Sequence, residues 1–574
     1  MTKAVAKRAA RKPPAPPASA TTPHVDKAWQ YVTDVRSGKV LACKWIRLAC
    51  DRHVADMAAS QAKDSRFVFD NAAAERVCRF AERFPHVKGR WAAKRELLVL
   101  EPWQCFIFCS IFGWLMRESG YRRFRKARIY TTRKQGKSLI AAPIGLYMFV
   151  ADNEPGAEVF SGATNEKQAW EVFGPAKQMA SLTPDFVAHY GVGVNAKTLT
   201  RLSDMSKFEP VIGKPGDGSS PHCAIIDEFH EHDTDAQLAT METGMGARTQ
   251  PLSLIVSTAG DNLAGPCRAD WLDCQNILEG TVKDEQVFAV IYTIDPDVDW
   301  TSEAALRMAN PNYDISVTGE FLMAQQTQAI NSPRHQGHFK TKHLNIWVQA
   351  RDAFINMQRW AECKVTGLKL SDLFGKRCVI GMDLASKIDL TALVLVFPLE
   401  NGRYAMFGKY YLPEETVEQP ENQHYRTWHA AGHLTATEGN ATDYFHVLDD
   451  IKELAAMFDV QEIAYDPYNA TMLVTALQNE NLPMVEFGQT VLNMSEPMKQ
   501  VEALIKDRKI EHDGDPVMEW AMSNVTAKLD RKDNIYPTKE RPENKIDPFV
   551  ALCLAMGRLM IGAEPEKKYQ ILVF

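Results

Sequence analysis

The sequence predicts an α/β protein built as two successive domains. Three observations carry that expectation. The chain has 574 residues, 45% hydrophobic and 24% charged, enough for two or three packed cores. From Lys126 to about Trp347, short apolar strands (ARIYTT, EVFSGAT, HCAIIDE, PLSLIVSTAG) alternate with helical segments, the pattern of a mainly parallel sheet covered by helices. From Lys376 the order changes: CVIGMDLAS, TALVLVFPL and YAMFGKYYL follow one another as a meander, and QEIAYDP comes after a helix. That is a second, different α/β domain.

Taken in order, residues 1–25 are rich in Ala, Pro and basic side chains with little to bury, and read as a disordered basic arm. Residues 26–95 have helical spacing of apolar positions and form a helical lead-in. The first α/β domain is assigned to 96–349, a connector to 350–375, the second domain to 376–562 and a short tail to 563–574. The apolar stretch Leu139–Ala151 is shorter than the roughly 20 residues that span a bilayer, so it reads as a buried helix and no membrane partner is expected. Eleven scattered cysteines, with no CxxC pair and no secretory leader, fit a reducing cytoplasm. Cys105 and Cys109 read as core residues.

A net charge of -6 gives the whole molecule no attraction for nucleic acid, so a DNA-binding surface has to be a local concentration of Lys and Arg. The stretch from Tyr121 to Ser138, with Arg122, Arg123, Arg125, Lys126, Arg128, Arg133, Lys134 and Lys137 and no acidic residue, is such a concentration. A solvated basic face is the alternative for its first five cations.

The segment TTRKQGKS, between the strand ARIYTT and the helix SLIAAPIGLYMFV, has the context of a P-loop although Thr131 stands where a first glycine is usual. Backbone N–H groups of Thr132, Arg133, Lys134, Gln135 and Gly136 would surround phosphate oxygens, Lys137 would neutralise them, and Ser138 would hold magnesium. Arg133 and Lys134 add charge there, and Arg133 is a candidate built-in arginine finger. In HCAIIDEFHEH a hydrophobic strand delivers Asp227 and Glu228, adjacent residues that point to opposite sides. Asp227 is expected behind the magnesium, and Glu228 as the base that polarises the attacking water. Ser257, Thr258, Ala259 and Gly260, at the exit of PLSLIVSTAG, suit contact with a γ-phosphate and report of its loss. Gln104, before a helix in EPWQCFIF, has the paired donor and acceptor to read an adenine edge.

In the second domain Asp383, Asp466 and Asp547 each close an apolar element. Converging from two strands and a helix, they would give hard oxygen ligands for two magnesium or manganese ions, the chemistry of phosphodiester hydrolysis. Asp547 followed by Pro548 also fits a helix start. Asp389 reads as a turn residue, and His512 as a structural histidine rather than a phosphate contact. First strand of a meander, later strand, C-terminal helix is the order of ribonuclease H-like nucleases.

The ordered set EPWQ, TTRKQGKS, ATNEKQA, IIDEFH, IVSTAG, MANPN, FKTKHLNIWV, GMDLASKIDLTA, AYDPYNA, FGQTVLNMS and KIDPFVALCLA resembles the large terminase subunits of tailed double-stranded DNA bacteriophages over about 101–557. The resemblance implies an ASCE-type P-loop ATPase joined to a ribonuclease H-like nuclease. Such an enzyme drives viral double-stranded DNA through a portal into the prohead and cuts concatemeric DNA. It implies ATP with magnesium in the first domain and divalent metal in the second. It further implies the portal protein and small terminase subunit as partners, a homo-oligomeric ring on the portal, and residence in the host cytoplasm rather than the mature virion. Phosphate loops of this family commonly lack the first glycine, so Thr131 fits. STAG becomes the coupling motif and Arg248 a candidate arginine acting on a neighbouring subunit. A repair or restriction translocase with a fused nuclease shares the chemistry. A catalytically degenerate assembly protein is the other alternative, against which intact Lys137, Glu228 and the three aspartates speak.

Overall fold

A computed structural model describes residues 21–562 except 214, 215, 217, 351, 352, 385–389, 420, 421, 469, 470 and 531. The arm through residue 20, the tail from 563 and Asp389 thus lie outside the described residues. The chain divides into two compact units. The first is Met1–Ser257, Asp270–Asp295 and Arg307–Pro311, and the second is Thr258–Ala269, Pro296–Leu306 and Asn312–Phe574.

In the first unit the lead-in forms helices Pro23–Arg36, Lys44–Ser60 and Asn71–Ala81, with a small antiparallel ribbon of β1 (Phe67–Phe69) and β2 (Trp114–Met116). Residues 23–25, expected in the disordered arm, are instead helical, because His24 pairs with Glu75 and Val25 is buried. The last of these helices starts where Asp70 accepts the Ala73 N–H, the usual side-chain cap. The main sheet holds β3 (Lys126–Tyr130), β4 (Glu158–Ala163), β5 (Val192–Val194), β6 (Leu199–Arg201), β7 (Ser206–Ile212), β8 (Pro221–Asp227), β9 (Leu252–Ser257) and β10 (Val287–Ile291). Their spatial order is β10-β3-β9-β8-β4-β7-β6-β5, parallel from β10 to β7 and antiparallel over the last two pairings. β8 and β9 are buried at every position, as expected of strands covered on both faces. The helix Lys137–Val150 is buried along almost its whole length, which explains its apolar run without a membrane. Register aligns Tyr130 with Ser257 and Val256 with Asp227, so β3, β9 and β8 end together at one edge. Ligands of such sheets bind outside these carboxyl ends.

Within the basic run 121–138, three of the arginines are not the surface the sequence suggests. Arg122, Arg123 and Arg128 are each 2–3% exposed. Arg122 pairs with Asp152, Arg123 with Asp56 and Glu285, and Arg128 with Asp270 and Glu242. Their partners lie 30 to 162 residues away in sequence, so a local scan counts the cations and misses the carboxylates. A cation this deep requires such partners, because removing one leaves an uncompensated buried charge.

The second unit carries the sheet β14-β13-β12-β11-β15-β16, with β17 also on β13. The strands are β11 (Arg377–Asp383), β12 (Thr391–Pro398), β13 (Tyr404–Pro413), β14 (Thr435–Thr437), β15 (Asp459–Tyr465), β16 (Met484–Glu486) and β17 (Ile510–His512). The first three form the expected antiparallel meander, and β15 joins β11 in parallel. β18 (Thr526–Leu529) and β19 (Ile535–Thr538) make a separate hairpin. Alternate residues of β12 feed two cores: Ala392, Val394 and Val396 on one face, Leu393, Leu395 and Phe397 on the other. The first core is covered by the helix Asp547–Ile561. That helix sits so close to β11 that a Cβ at Gly381 would run into the Ala551 carbonyl oxygen. Glycine is what lets helix and strand meet there.

Candidate functional site

The loop between β3 and the helix Lys137–Val150 turns at Gly136, the helix N-cap, whose φ of 82° is the left-handed conformation that glycine adopts at little cost. Lys134 also has positive φ, 67°. Thr131 and Thr132 are fully buried, and the Thr131 N–H donates to the Ser257 carbonyl at 3.0 Å, tying the start of the loop to β9. Arg133 and Lys134 are exposed at the tip, while Ser138 is half-buried in the first helical turn.

Lys137 is 9% exposed, and its Nζ donates to Glu228 Oε1 at 2.9 Å. The geometry thus joins the TTRKQGKS loop to the end of β8. Asp227 is buried beneath them. Burial first, then the neighbouring Glu228 carboxylate, push its carboxyl up to about 7, against the pull of Lys137. A carboxylate this reluctant to carry its charge is suited to a cation beside it. Glu228 itself has φ 48°, a strained backbone for a non-glycine residue, and its N–H donates to Asp227 Oδ1 at 3.0 Å.

Three polar residues without an assigned role in the sequence complete the picture. His230 Nδ1 lies 3.3 Å from Glu228 Oε2 and 3.2 Å from Ser257 Oγ, while its Nε2 lies 3.1 Å from Glu231. Asn310 Oδ1 accepts from Thr132 Oγ1 at 2.7 Å and from Gln135 Nε2 at 2.9 Å. Gln489, in the second unit, contacts Asp383 and Asp466. Asn310 and Gln489 fall in MANPN and FGQTVLNMS, segments visible in sequence, but their contacts span 175 and 106 residues and no spacing rule reaches that far.

Gln104 is buried and spends its Oε1 on the Glu101 N–H at 3.0 Å in a reciprocal helix cap. Its Nε2 faces Gly136, 3.5 Å from where a Cβ would stand. Of the STAG segment, Ser257 belongs to the first unit and Thr258 to Gly260 to the second, where Lys342 donates to Thr258 Oγ1 at 3.4 Å and the Ala259 N–H to Asn345 Oδ1 at 2.6 Å. Arg248 is not placed as the sequence suggests for an arginine acting on a neighbouring subunit. Its guanidinium is committed to the carbonyls of Ser220, Pro155 and Gly156 and to Glu154, with the side chain 13% exposed. It braces loops of its own unit rather than reaching outward.

In the second unit β11 and β15 pair with Met382 opposite Tyr465, so Asp383 and Asp466 leave neighbouring strand ends. Gln489 links them: its Nε2 donates to Asp383 Oδ1 at 2.9 Å and its N–H to Asp466 Oδ2 at 3.0 Å. Tyr536 of the hairpin is close enough for both carboxylates, after burial, to push its phenol up. Asp547 opens the helix that crosses β11 at Gly381, one turn before Ala551. It is the first helical residue, not the cap, which is Ile546. Among the described residues no three His, Cys, Asp or Glu side chains are gathered into a tight cage. Hard oxygen donors on adjacent strand ends are nevertheless the ligand type that divalent magnesium and manganese take. His512 is structural: it stacks on Trp360 at 4.0 Å, its Nε2 lies 2.9 Å from the Trp360 carbonyl, and its Nδ1 accepts the Gly514 N–H at 3.1 Å.

Comparison with known proteins returns two family matches: the terminase large subunit ATPase domain over residues 102–272 and the terminase large subunit endonuclease domain over 281–563. Protein YmfN of Escherichia coli (strain K12) is 41% identical over 361 residues, 61% of this chain and 79% of that protein. The terminase large subunit of Enterobacteria phage HK97 is 26% identical over 494 residues, 84% of this chain and 95% of that one. The crystal structure of the HK97 large terminase covers 84% of this chain and 99% of its own, at 25% identity and a TM-score of 0.42.

Proposed function

The chain belongs to the large terminase subunits, nucleotide-hydrolysing and DNA-cleaving enzymes of viral DNA packaging that use divalent metal, and from that premise we propose which residues do the work. The observation that carries the ATPase assignment is the 2.9 Å contact between Lys137 and Glu228. Without nucleotide, the cation and the carboxylate neutralise each other. The γ-phosphate of ATP competes for Lys137, and Glu228, released from it, accepts the proton of the attacking water. Backbone N–H groups from Thr132 to Gly136 surround the phosphates, and Arg133 at the exposed tip stabilises charge on the transferring group. Gln104 backs the loop at Gly136 with its Nε2, its Oε1 being held in the helix cap rather than left to read a base.

Magnesium with ATP would be held by Ser138 and by Asp227, whose upward-shifted carboxyl fits a site that gains a cation. In the nuclease, Asp383, Asp466 and Asp547 would hold two magnesium or manganese ions, which supply water activation and charge neutralisation at the leaving oxygen. Gln489 orients the first two carboxylates through its two hydrogen bonds. Ser257 to Gly260 pass the state of the nucleotide along the chain.

The partners proposed are double-stranded DNA, the portal protein, the small terminase subunit and further copies of the chain in a ring on the portal. The place of work is the host cytoplasm. Packaging with purified proheads tests the reading. ATP-dependent protection of DNA from added nuclease, lost in Lys137→Ala, supports it, while protection that survives Lys137→Ala overturns the ATP-site assignment.

A further inference from the structure

We infer that Asn310 is a positioning residue that fixes the shape of the phosphate loop, and so sets the affinity for ATP, through Thr132 and Gln135. The inference rests on the reading of TTRKQGKS as the nucleotide loop.

The loop has a conformational problem that its own residues do not solve. With Thr131 at its start, it keeps only Gly136 to turn freely, and it holds Lys134 at φ 67°, where a side chain costs about 1 kcal/mol. Backbone preference alone therefore does not favour this shape. The Thr131 N–H is anchored to Ser257, which fixes one end, and the helix starting at Lys137 fixes the other. Between them, Asn310 Oδ1 accepts from Thr132 at 2.7 Å and from Gln135 at 2.9 Å. These donors stand on either side of Arg133 and Lys134, so one carboxamide oxygen, using both lone pairs, staples the loop across its tip. Asn310 is 1% exposed, and Thr132 and Gln135 are fully buried. Donors in that position lose more when a partner is removed than they gain when it is present. A neutral acceptor also suits the place, because a carboxylate there would oppose a polyphosphate.

The test is steady-state ATPase kinetics on the full chain. Asn310→Ala should raise KM for ATP about tenfold with kcat changed less than about threefold, because a loop that must be ordered on binding loses affinity rather than chemistry. Thr132→Val should do the same, Thr132→Ser should recover most of the loss, and Asn310→Ala with Thr132→Val together should be no worse than the poorer single variant. An unchanged KM in Asn310→Ala, a fall confined to kcat, or losses that multiply in the double variant would each overturn the proposal. If Asn310→Ala fails to fold, the Thr132 pair decides: equal KM in Thr132→Val and Thr132→Ser overturns it. Lys137→Ala separates the two readings, since full ATPase in that variant removes the nucleotide-loop assignment itself.

Discussion

Lys137 and Glu228, 91 residues apart in sequence, meet as an ion pair at 2.9 Å at the carboxyl edge of the first sheet. The contact predicts opposite effects on binding and turnover. Glu228→Gln should lower kcat for ATP hydrolysis by about 10²–10⁴, the usual contribution of a general base, without weakening ATP binding, because Lys137 no longer has a competing carboxylate. Metal-dependent DNA cleavage should persist. ATPase assays and plasmid digestion on the same preparation check both halves.

Asp383→Ala should show the converse: loss of DNA cleavage with ATP turnover retained. Gln489→Leu should cut more slowly and need more divalent metal, since loss of a residue that orients metal ligands typically costs 10–100-fold in affinity or activity. Titration of plasmid cleavage with magnesium or manganese measures it. If Asp383→Ala cleaves at the wild-type rate, the nuclease assignment fails.

Arg248→Ala should behave as a stability variant. It strips a cation from three carbonyls and Glu154, and a loss of about 2–3 kcal/mol is expected from urea unfolding. ATP turnover per folded molecule should survive. A collapse of turnover with unchanged stability would return Arg248 to a role on a neighbouring subunit.

His53 predicts an acid-sensitive fold. Its Nδ1 accepts the Trp114 Nε1–H at 3.2 Å inside a box of Trp29, Phe69, Phe106 and Trp114. Burial first, and the Arg123 cation second, push it down to about 4 from an ordinary 6.5. As pH falls from 6.5 towards 4, the unfolded chain takes up a proton that the folded chain refuses, so stability drops by about 3 kcal/mol over that window. His53→Gln should flatten this part of the pH profile of unfolding.

Candidate residues carried by strong local patterns were legible in sequence. Gly136, Lys137, Asp227 and Glu228 sit on a strand-loop-helix and a strand end whose hydrophobic patterns declare themselves, and so do the three aspartates on theirs. Residues that act across long separations were not. Asn310, His230 and Gln489 are ordinary polar residues until the fold brings Thr132, Ser257 and Asp466 to them. The same blindness made Arg122, Arg123 and Arg128 look like surface and Arg248 look available, because their carboxylate and carbonyl partners arrive from other elements.

The assembly of the first unit from three stretches of chain decides how it can be isolated. A fragment cut after Ser257 would lose β10 and so bare the hydrogen-bonding edge of β3, inviting edge-to-edge aggregation. It would also lose Asp270, one of the two carboxylates against the buried Arg128. A cut after Asp295 would restore both and still discard Asn310. Only a polypeptide that continues to Pro311 or beyond contains every residue of the unit, so soluble expression of an ATPase fragment should switch on between those end points.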